Sequence, residues 1–484
     1  MVYLYTIKLY SYANKNFIML PNHKTKIIAT IGSSSSSKDV LKKLIKSGMN
    51  VARINFAHGS FEEHAKIVER IRAIAEKLGK KVAILGDLPG IKIRIGKLEE
   101  EPVILNKGET VVLTTRNVEG NSSTIPVEFK DFPNIVSKGD LIYLSDGLIK
   151  LRVEDVRSGN VICKVLVGGK LFSRKGINIP KADLPLEAVT EKDLEILKFM
   201  IELNFDAVGV SFVGSAYDLI KVRRFIHRRN TEMFVIAKIE RIDAVKNFDE
   251  ILNSADGIMI ARGDLGVEIP IEKLPIIQKK LIRKANYEGK PAITATQMLE
   301  SMTTDKMPTR AEVTDVANAI LDGSDAVMLS EETAVGKYPV EAVRMMVKIA
   351  RVTESYLRPT LDIDEIRKGG TIKDAISVGI IEALKVVDVK FIVTPTRTGR
   401  TPRLISRFRP KQWILAFSSN ERTCGGLVFS YGVQPFLMEE GFSESDVLNI
   451  VKDLGLVRSG DTIMITESKP ADVGTNTIRI LRVD

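Results

Sequence analysis

The chain has 484 residues, more than one ordinary domain, and its 44% hydrophobic and 27% charged content supplies large cores and a polar surface. A formal net charge of +10 and a pI of about 9.2 favour anionic partners such as nucleotides and phosphorylated metabolites. The sequence has no aromatic RNA-binding box, zinc-finger spacing or basic low-complexity tail, which argues against nucleic acid, and no apolar run long enough for a bilayer. Its two distant cysteines, Cys163 and Cys424, argue against a disulfide framework and suit a reducing, cytoplasmic compartment.

Residues 1–23 form an N-terminal extension rich in tyrosine and free of acidic residues. It reads as a weak targeting segment or as an extension ahead of a functional start at Met19. From Lys26 onward strands and helices alternate. KIIATIG is a strand and KDVLKKLIKSG a helix, with Ser33 to Ser37 as the loop that caps it. VARINF and KVAILGD are strands on either side of the helix FEEHAKIVERIRAIAEKLG. Over residues 92–184 the alternation stops. VILNKGETVVLTT, DLIYLSDGLIKLRVEDV and NVICKVLVGG are short strands divided by Gly, Asn and Asp turns, which predicts an inserted β-barrel lid domain.

Alternation resumes with the helix EKDLEILKFMIEL and the strands AVGVSF, VIAKIE, GIMIARGD, AITATQ and AVMLSEE, separated by helices, with the helix AVKNFDEILNSA between VIAKIE and GIMIARGD. Continuously apolar strands suit a parallel sheet covered on both faces. Eight βα units predict an α/β fold of the (β/α)8 TIM-barrel type over residues 24–91 and 185–357. After the polar linker RPTLDIDEIRKGG, strands such as KFIVTP, WILAFSS and TIMITES alternate with helices, so residues 358–484 read as a C-terminal α/β domain.

Active sites of such barrels lie at the C-terminal strand ends. Those ends carry Arg53, Asn55 and His58, then Asp87, Ser211, Lys238, Glu240, Arg262, Asp264, Thr294, Thr296, Gln297, Ser330, Glu331 and Glu332. Gathering so many polar groups is unfavourable unless they meet ligands or one another. Lys238 and Glu240, two apart on a strand, face the same side. Glu240 and Asp264 are hard oxygen donors suited to Mg2+ or Mn2+. Arg53 offers a fork for phosphate or carboxylate, and Gly263 admits an anion close to the backbone. A metal, a lysine and an arginine around one anion equip a site for phosphoryl transfer. Taken singly, each residue has a plainer reading: Lys238–Glu240 as an ion pair, Asp264 as a turn residue, His58 as a loop residue, Arg53 as a structural partner of Asp87, Ser330 as a helix cap. Their convergence on one mouth favours the site. A metal-dependent lyase and a basic nucleic-acid-binding protein are the rival classes.

The stretches TKIIATIG, SGMNVARINFAHG, VIAKIERIDAV, IMIARGDLGVEIP, ATQMLESM and PTRAEVTDVANAILDGSDAVML resemble the signature blocks of pyruvate kinases, and the resemblance runs from about residue 24 to 484. It implies a barrel with a lid and a C-terminal α/β domain, usually in a tetramer, that transfers phosphate from phosphoenolpyruvate to ADP. It also implies that Lys238 stabilises the phosphoryl group in flight, that Arg53 contacts the phosphate, and that Glu240 and Asp264 hold the divalent metal. Gly263, Asp264 and Thr296 would bind the substrate carboxylate, with Thr296 near the protonation of the enolate; Asn55, His58, Arg94 and Lys175 would lie around ADP. Ser330 and Glu332 align with a polar network behind Thr296, with Glu331 where the family has glycine. The family's potassium site uses Asn, Ser, Asp and Thr oxygens beside a glutamate. Here Asn55 and Asp87 remain, Ala57 and Leu88 replace the Ser and Thr, and Lys92 replaces the glutamate. With Pro89 and Ile95, this resembles the K+-independent branch and implies that the Lys92 ammonium supplies the charge of K+. Thr396, Thr398, Gly399 and Arg400, ahead of a helix, resemble the family's loop for a phosphorylated effector.

Overall fold

The structure, a computed structural model, describes residues 20–180, 187–358, 361–367, 370–467 and 475–484. The readings of residues 1–19 and of the lid boundary at 184/185 lie outside them. Eight parallel strands close into a barrel: β1 (Lys26–Thr30), β2 (Val51–Asn55), β3 (Ala83–Leu88), β4 (Ala207–Val210), β5 (Phe234–Ile239), β6 (Gly257–Ala261), β7 (Ala292–Ala295) and β8 (Ala326–Leu329). Ring closure pairs β1 with both β2 and β8. Alternate residues serve two cores. Ile28, Leu85, Ile236, Met259 and Ile293 fill the interior, while Ile27, Ile54, Ile84 and Val235 pack against the outer helices. The helix Lys38–Ser47 starts as expected, with Ser37 Oγ accepting from the Val40 N–H.

Two elements depart from the sequence reading. The expected sixth strand ran through Asp264, but β6 stops at Ala261 and Arg262–Glu268 is a helix. Ala261 pairs with Ala295, the last residue of β7, so the chain beyond it has no ladder partner and satisfies its backbone helically. The single helix expected over AVKNFDEILNSA is two, Ile242–Lys246 and Phe248–Ser254, which meet at Asn247.

The insertion folds around its own core, which includes Leu113, Ile125, Phe132, Ile142 and Leu151. It forms a six-stranded, mostly antiparallel sheet and a separate two-stranded one. The C-terminal domain holds β9 (Phe391–Pro395), β10 (Trp413–Ser418), β11 (Val433–Leu437), β12 (Thr462–Glu467) and β13 (Thr477–Arg482) in the order β11-β10-β9-β12-β13, with only β13 antiparallel.

That domain closes the N-terminal end of the barrel. Val428 and Phe429 join the interior core, and Phe429 stacks on Phe234 at 5.6 Å. Gly426 permits the approach, since a Cβ there would come within 2.7 Å of the Phe234 ring. Buried Arg409 bonds Asp325 at 2.7 Å, and the Lys26 ammonium donates to the Val433 carbonyl at 2.7 Å. With the bottom sealed, the opposite mouth is the one that faces the lid. Among the described residues no helix is long and apolar enough to cross a membrane, and both cysteines are free and buried.

Candidate active site

The mouth is organised by a chain of buried charges. Arg53, on β2, donates to Asp87 Oδ2 from Nε (2.9 Å) and Nη2 (2.7 Å), and to Thr30 Oγ1 from Nη1 (3.0 Å). Lys238 Nζ lies 3.3 Å from the same Asp87 oxygen, 2.9 Å from Glu240 Oε1 and 2.7 Å from Ser211 Oγ. Glu240 Oε2 accepts from the Phe212 N–H at 2.7 Å. The plainer readings of Arg53 and Lys238 as ion-pair partners therefore hold, and the pairs share one network. Gly209 on β4 makes room for it: a Cβ there would come within 2.3 Å of Asp87 Oδ1. Gly209 is a site residue absent from those named from the sequence, although a lone glycine inside an apolar strand signals a close approach.

Burial works to lower the Lys238 ammonium, but Asp87 and Glu240 outweigh it and hold it above the ordinary lysine value, so it is a permanent cation. Burial would raise Asp87, yet Arg53 and Lys238 keep it below the usual carboxylate range. Burial raises Glu240; Lys238 offsets part of that, and the charge of Asp264 adds to the rise. Glu240 and Asp264 thus feel each other as like charges. Asp264 is paired through Oδ1 with Lys92 Nζ at 2.7 Å. No cluster of three or more His, Cys, Asp or Glu side chains fit for a metal occurs among the described residues. Two neighbouring carboxylates fit a hard cation that keeps waters and takes further oxygens from its substrate, as Mg2+ does.

Beside the carboxylates, Thr296 Oγ1 accepts from the Gly263 N–H at 2.8 Å and donates to the Ala295 carbonyl at 2.6 Å. Among the described residues a Cβ on Gly263 would meet only Thr296, at 3.5 Å, so their packing does not demand glycine there. Glu332 accepts from the Leu299 N–H (3.1 Å) and the Ser330 N–H (2.6 Å), and burial raises its carboxyl. The Ser330 hydroxyl is buried without a hydrogen-bond partner among the described residues, so Ser330 caps none of them through its side chain.

The profile described as "Pyruvate kinase, barrel domain" matches residues 22–343, and that described as "Pyruvate kinase, alpha/beta domain" matches residues 374–481. The chain belongs to the pyruvate kinase family. It is 64% identical over 473 residues to a pyruvate kinase of Thermococcus litoralis, covering 96% of this chain and 99% of that one. It is 44% identical to a pyruvate kinase of Geobacillus stearothermophilus, over 92% of this chain and 78% of that one. A solved structure of a pyruvate kinase from Cryptosporidium parvum is similar with a TM-score of 0.87 and 38% identity, over 95% of this chain and 96% of that one. The enzyme is accordingly a phosphotransferase.

The site residues read from the sequence thus fall into three contact groups. Arg53, Asp87, Ser211, Lys238 and Glu240 form one, Gly263 and Thr296 a second, Lys92 and Asp264 a third. Asn55 is half-buried and accepts from the Ala57 N–H, whereas His58 and Lys175 are exposed. Arg94 donates to the Arg174 carbonyl on the lid. Glu331, at the family's glycine position, is exposed and leaves the contacts of Glu332 intact. In the C-terminal loop, Thr396 Oγ1 accepts from the Gly399 N–H at 3.0 Å, and Arg400 and Thr398 are exposed. Two features escaped sequence reasoning. One is the reach of Arg262 into the β7 loop. The other is a hinge cleft that Lys92, Asn178, Arg241 and Glu268 line.

Proposed function

We propose that the enzyme transfers the phosphoryl group of phosphoenolpyruvate to ADP, giving pyruvate and ATP. The observation that carries this reading is the Arg53–Asp87–Lys238–Glu240 chain, in which two cations are anchored on one buried carboxylate next to a pair of metal-fitting carboxylates. Arg53, oriented by Asp87 and Thr30, binds the phosphate through the open side of its fork. The Lys238 ammonium stabilises charge on the phosphoryl group in flight, and because Asp87, Glu240 and Ser211 already fix it, little reorganisation is needed as that charge develops. The backbone N–H groups of Gly263 and Asp264, with the Thr296 hydroxyl, hold the carboxylate, the Gly263 N–H exchanging its bond to Thr296 and the Thr296 hydroxyl its bond to the Ala295 carbonyl for bonds to the substrate, and the enolate left by transfer is protonated beside Thr296. Glu240 and Asp264 would hold Mg2+ or Mn2+, which supplies positive charge to the substrate oxygens. Asn55 and His58 on the rim and Arg94 and Lys175 on the lid surround ADP.

Independence from K+ belongs to the same reading. Lys92 is not a freely solvated charge; its side chain is 25% exposed and paired with Asp264, and Ala57 and Leu88 bring no side-chain oxygens. A tetramer in the cytoplasm, with a phosphorylated effector held by Thr396, Thr398, Gly399 and Arg400, completes it. The test is a lactate dehydrogenase-coupled assay with Mg2+. NADH oxidation should require both phosphoenolpyruvate and ADP. Pyruvate released at the same rate without ADP would overturn the reading in favour of a lyase or phosphatase.

A further inference from the structure

Arg262 follows β6 directly and precedes Gly263 and Asp264. It is buried, with 8% of its surface exposed. Its guanidinium leaves its own loop and crosses to β7. Nη2 donates to the Thr296 carbonyl at 2.9 Å and the Gln297 carbonyl at 3.1 Å, and touches Met298 Sδ at 2.9 Å. Nη1 is fixed at 2.7 Å by Asp315 on the helix Arg310–Leu321. The two residues it grips both stand in left-handed backbone conformations, with φ of 65° at Thr296 and 55° at Gln297. That conformation is a genuine outlier for a β-branched residue and persists only where surrounding contacts impose it. Thr296 turns its hydroxyl onto the N–H of Gly263, the residue next to Arg262. One residue therefore joins both halves of this cradle, its backbone leading into the Gly263 N–H and its side chain fixing Thr296.

We infer that Arg262 is a positioning residue, which holds Thr296 in its left-handed turn so that the hydroxyl faces the Gly263 N–H and the reacting substrate. This inference rests on the role given to Thr296 above. Neither Arg262 nor Asp315 touches the substrate; they act through the β7 loop. Arg262→Lys keeps the charge but cannot span both carbonyls and Asp315 at once. Asp315→Asn loosens the clamp from outside while leaving the guanidinium in place.

The experiment combines steady-state kinetics with exchange of the methyl protons of pyruvate into D2O, followed by NMR, for both variants in wild-type and Thr296→Ala backgrounds. Arg262→Lys should lower kcat and the exchange rate together by about 10- to 100-fold, as expected for a misplaced reacting group. Asp315→Asn should do so to a lesser extent. Half-saturation by Mn2+, read by electron paramagnetic resonance, should stay within about threefold, because the loss is not one of metal binding. In the Thr296→Ala background either substitution should add less than about threefold, since coupled positions are not additive. Full multiplicative losses in that background would overturn the inference, as would unaltered kcat and exchange in both single variants. If Thr296→Ala alone leaves kcat and exchange unchanged, the role of Thr296 fails; a large loss in Arg262→Lys would then show that Arg262 acts by another route.

Discussion

Lys238→Met removes the ammonium that three groups hold at the mouth of the barrel. The substitution nearly conserves volume, so packing changes little and the effect is electrostatic. Loss of a cation that stabilises phosphoryl transfer costs about 10³- to 10⁵-fold in kcat, or about 4–7 kcal/mol at 1.36 kcal/mol per decade. Removing one partner of a buried ion pair destabilises by about 3–5 kcal/mol where the remaining charge has no other partner. Here the cost is smaller. Asp87 keeps Arg53 at 2.7 Å, and Glu240, already raised by burial, takes up a proton more readily once Lys238 no longer offsets that rise. The variant should therefore fold, with a modestly lower Tm, and should still bind phosphoenolpyruvate through Arg53. Methyl-proton exchange of pyruvate should survive far better than phosphoryl transfer, because Thr296 and Gly263 are untouched. Half-saturation by Mg2+ should also become more pH-dependent and weaken as pH falls, since the Glu240 carboxyl protonates more readily. The assays are the coupled reaction, NMR exchange and Mg2+ titrations at two pH values. A kcat within about tenfold of wild type would refute the assigned role of Lys238.

In Tris or tetramethylammonium buffer freed of K+, Na+ and NH4+, full activity is expected with Mg2+ alone; strong activation by KCl beyond an equal concentration of tetramethylammonium chloride would refute the role of Lys92. Lys92→Glu should lose activity and regain part of it with K+ only when Ala57→Ser and Leu88→Thr restore the missing oxygens. Burial pushes the Glu268 carboxyl from 4.5 to about 7, with Arg241 and hydrogen bonds from Ile242 N–H and Asn178 pulling it back. The folded state thus holds a proton that the unfolded chain has already released, so the stability Glu268 contributes is full below pH 4.5 and is lost as pH rises through about 7. The urea midpoint should fall across that window by the equivalent of on the order of 1–3 kcal/mol, and Glu268→Gln should flatten the fall; an identical slope in the variant would rule Glu268 out as the source.

What the linear chain determined by itself was periodicity and chemistry at element ends. Eight apolar runs separated by amphipathic helices are legible because a strand covered on both faces must be apolar throughout. The end of each such run is where polar groups stop being excluded, so Arg53, Asp87, Lys238, Glu240 and Thr296 could all be named without coordinates. Where β6 stops was not legible, because it depends on the length of its neighbour: β7 ends at Ala295, and so Arg262 turns into a helix. Nor could spacing reveal which charge holds which. Lys238 and Glu240 are near in sequence, but Asp87 is shared between Arg53 and Lys238 only because β4, with Gly209, sits between β3 and β5 in the closed ring. Lys92 meets Asp264 across 172 positions of chain, and Arg262 meets Thr296 across 34. Side-chain pairing at a barrel mouth is decided by ring closure and by the angle at which loops leave it. These are properties of the packed whole, because a charge taken out of water accepts whichever partner the assembled walls bring within reach.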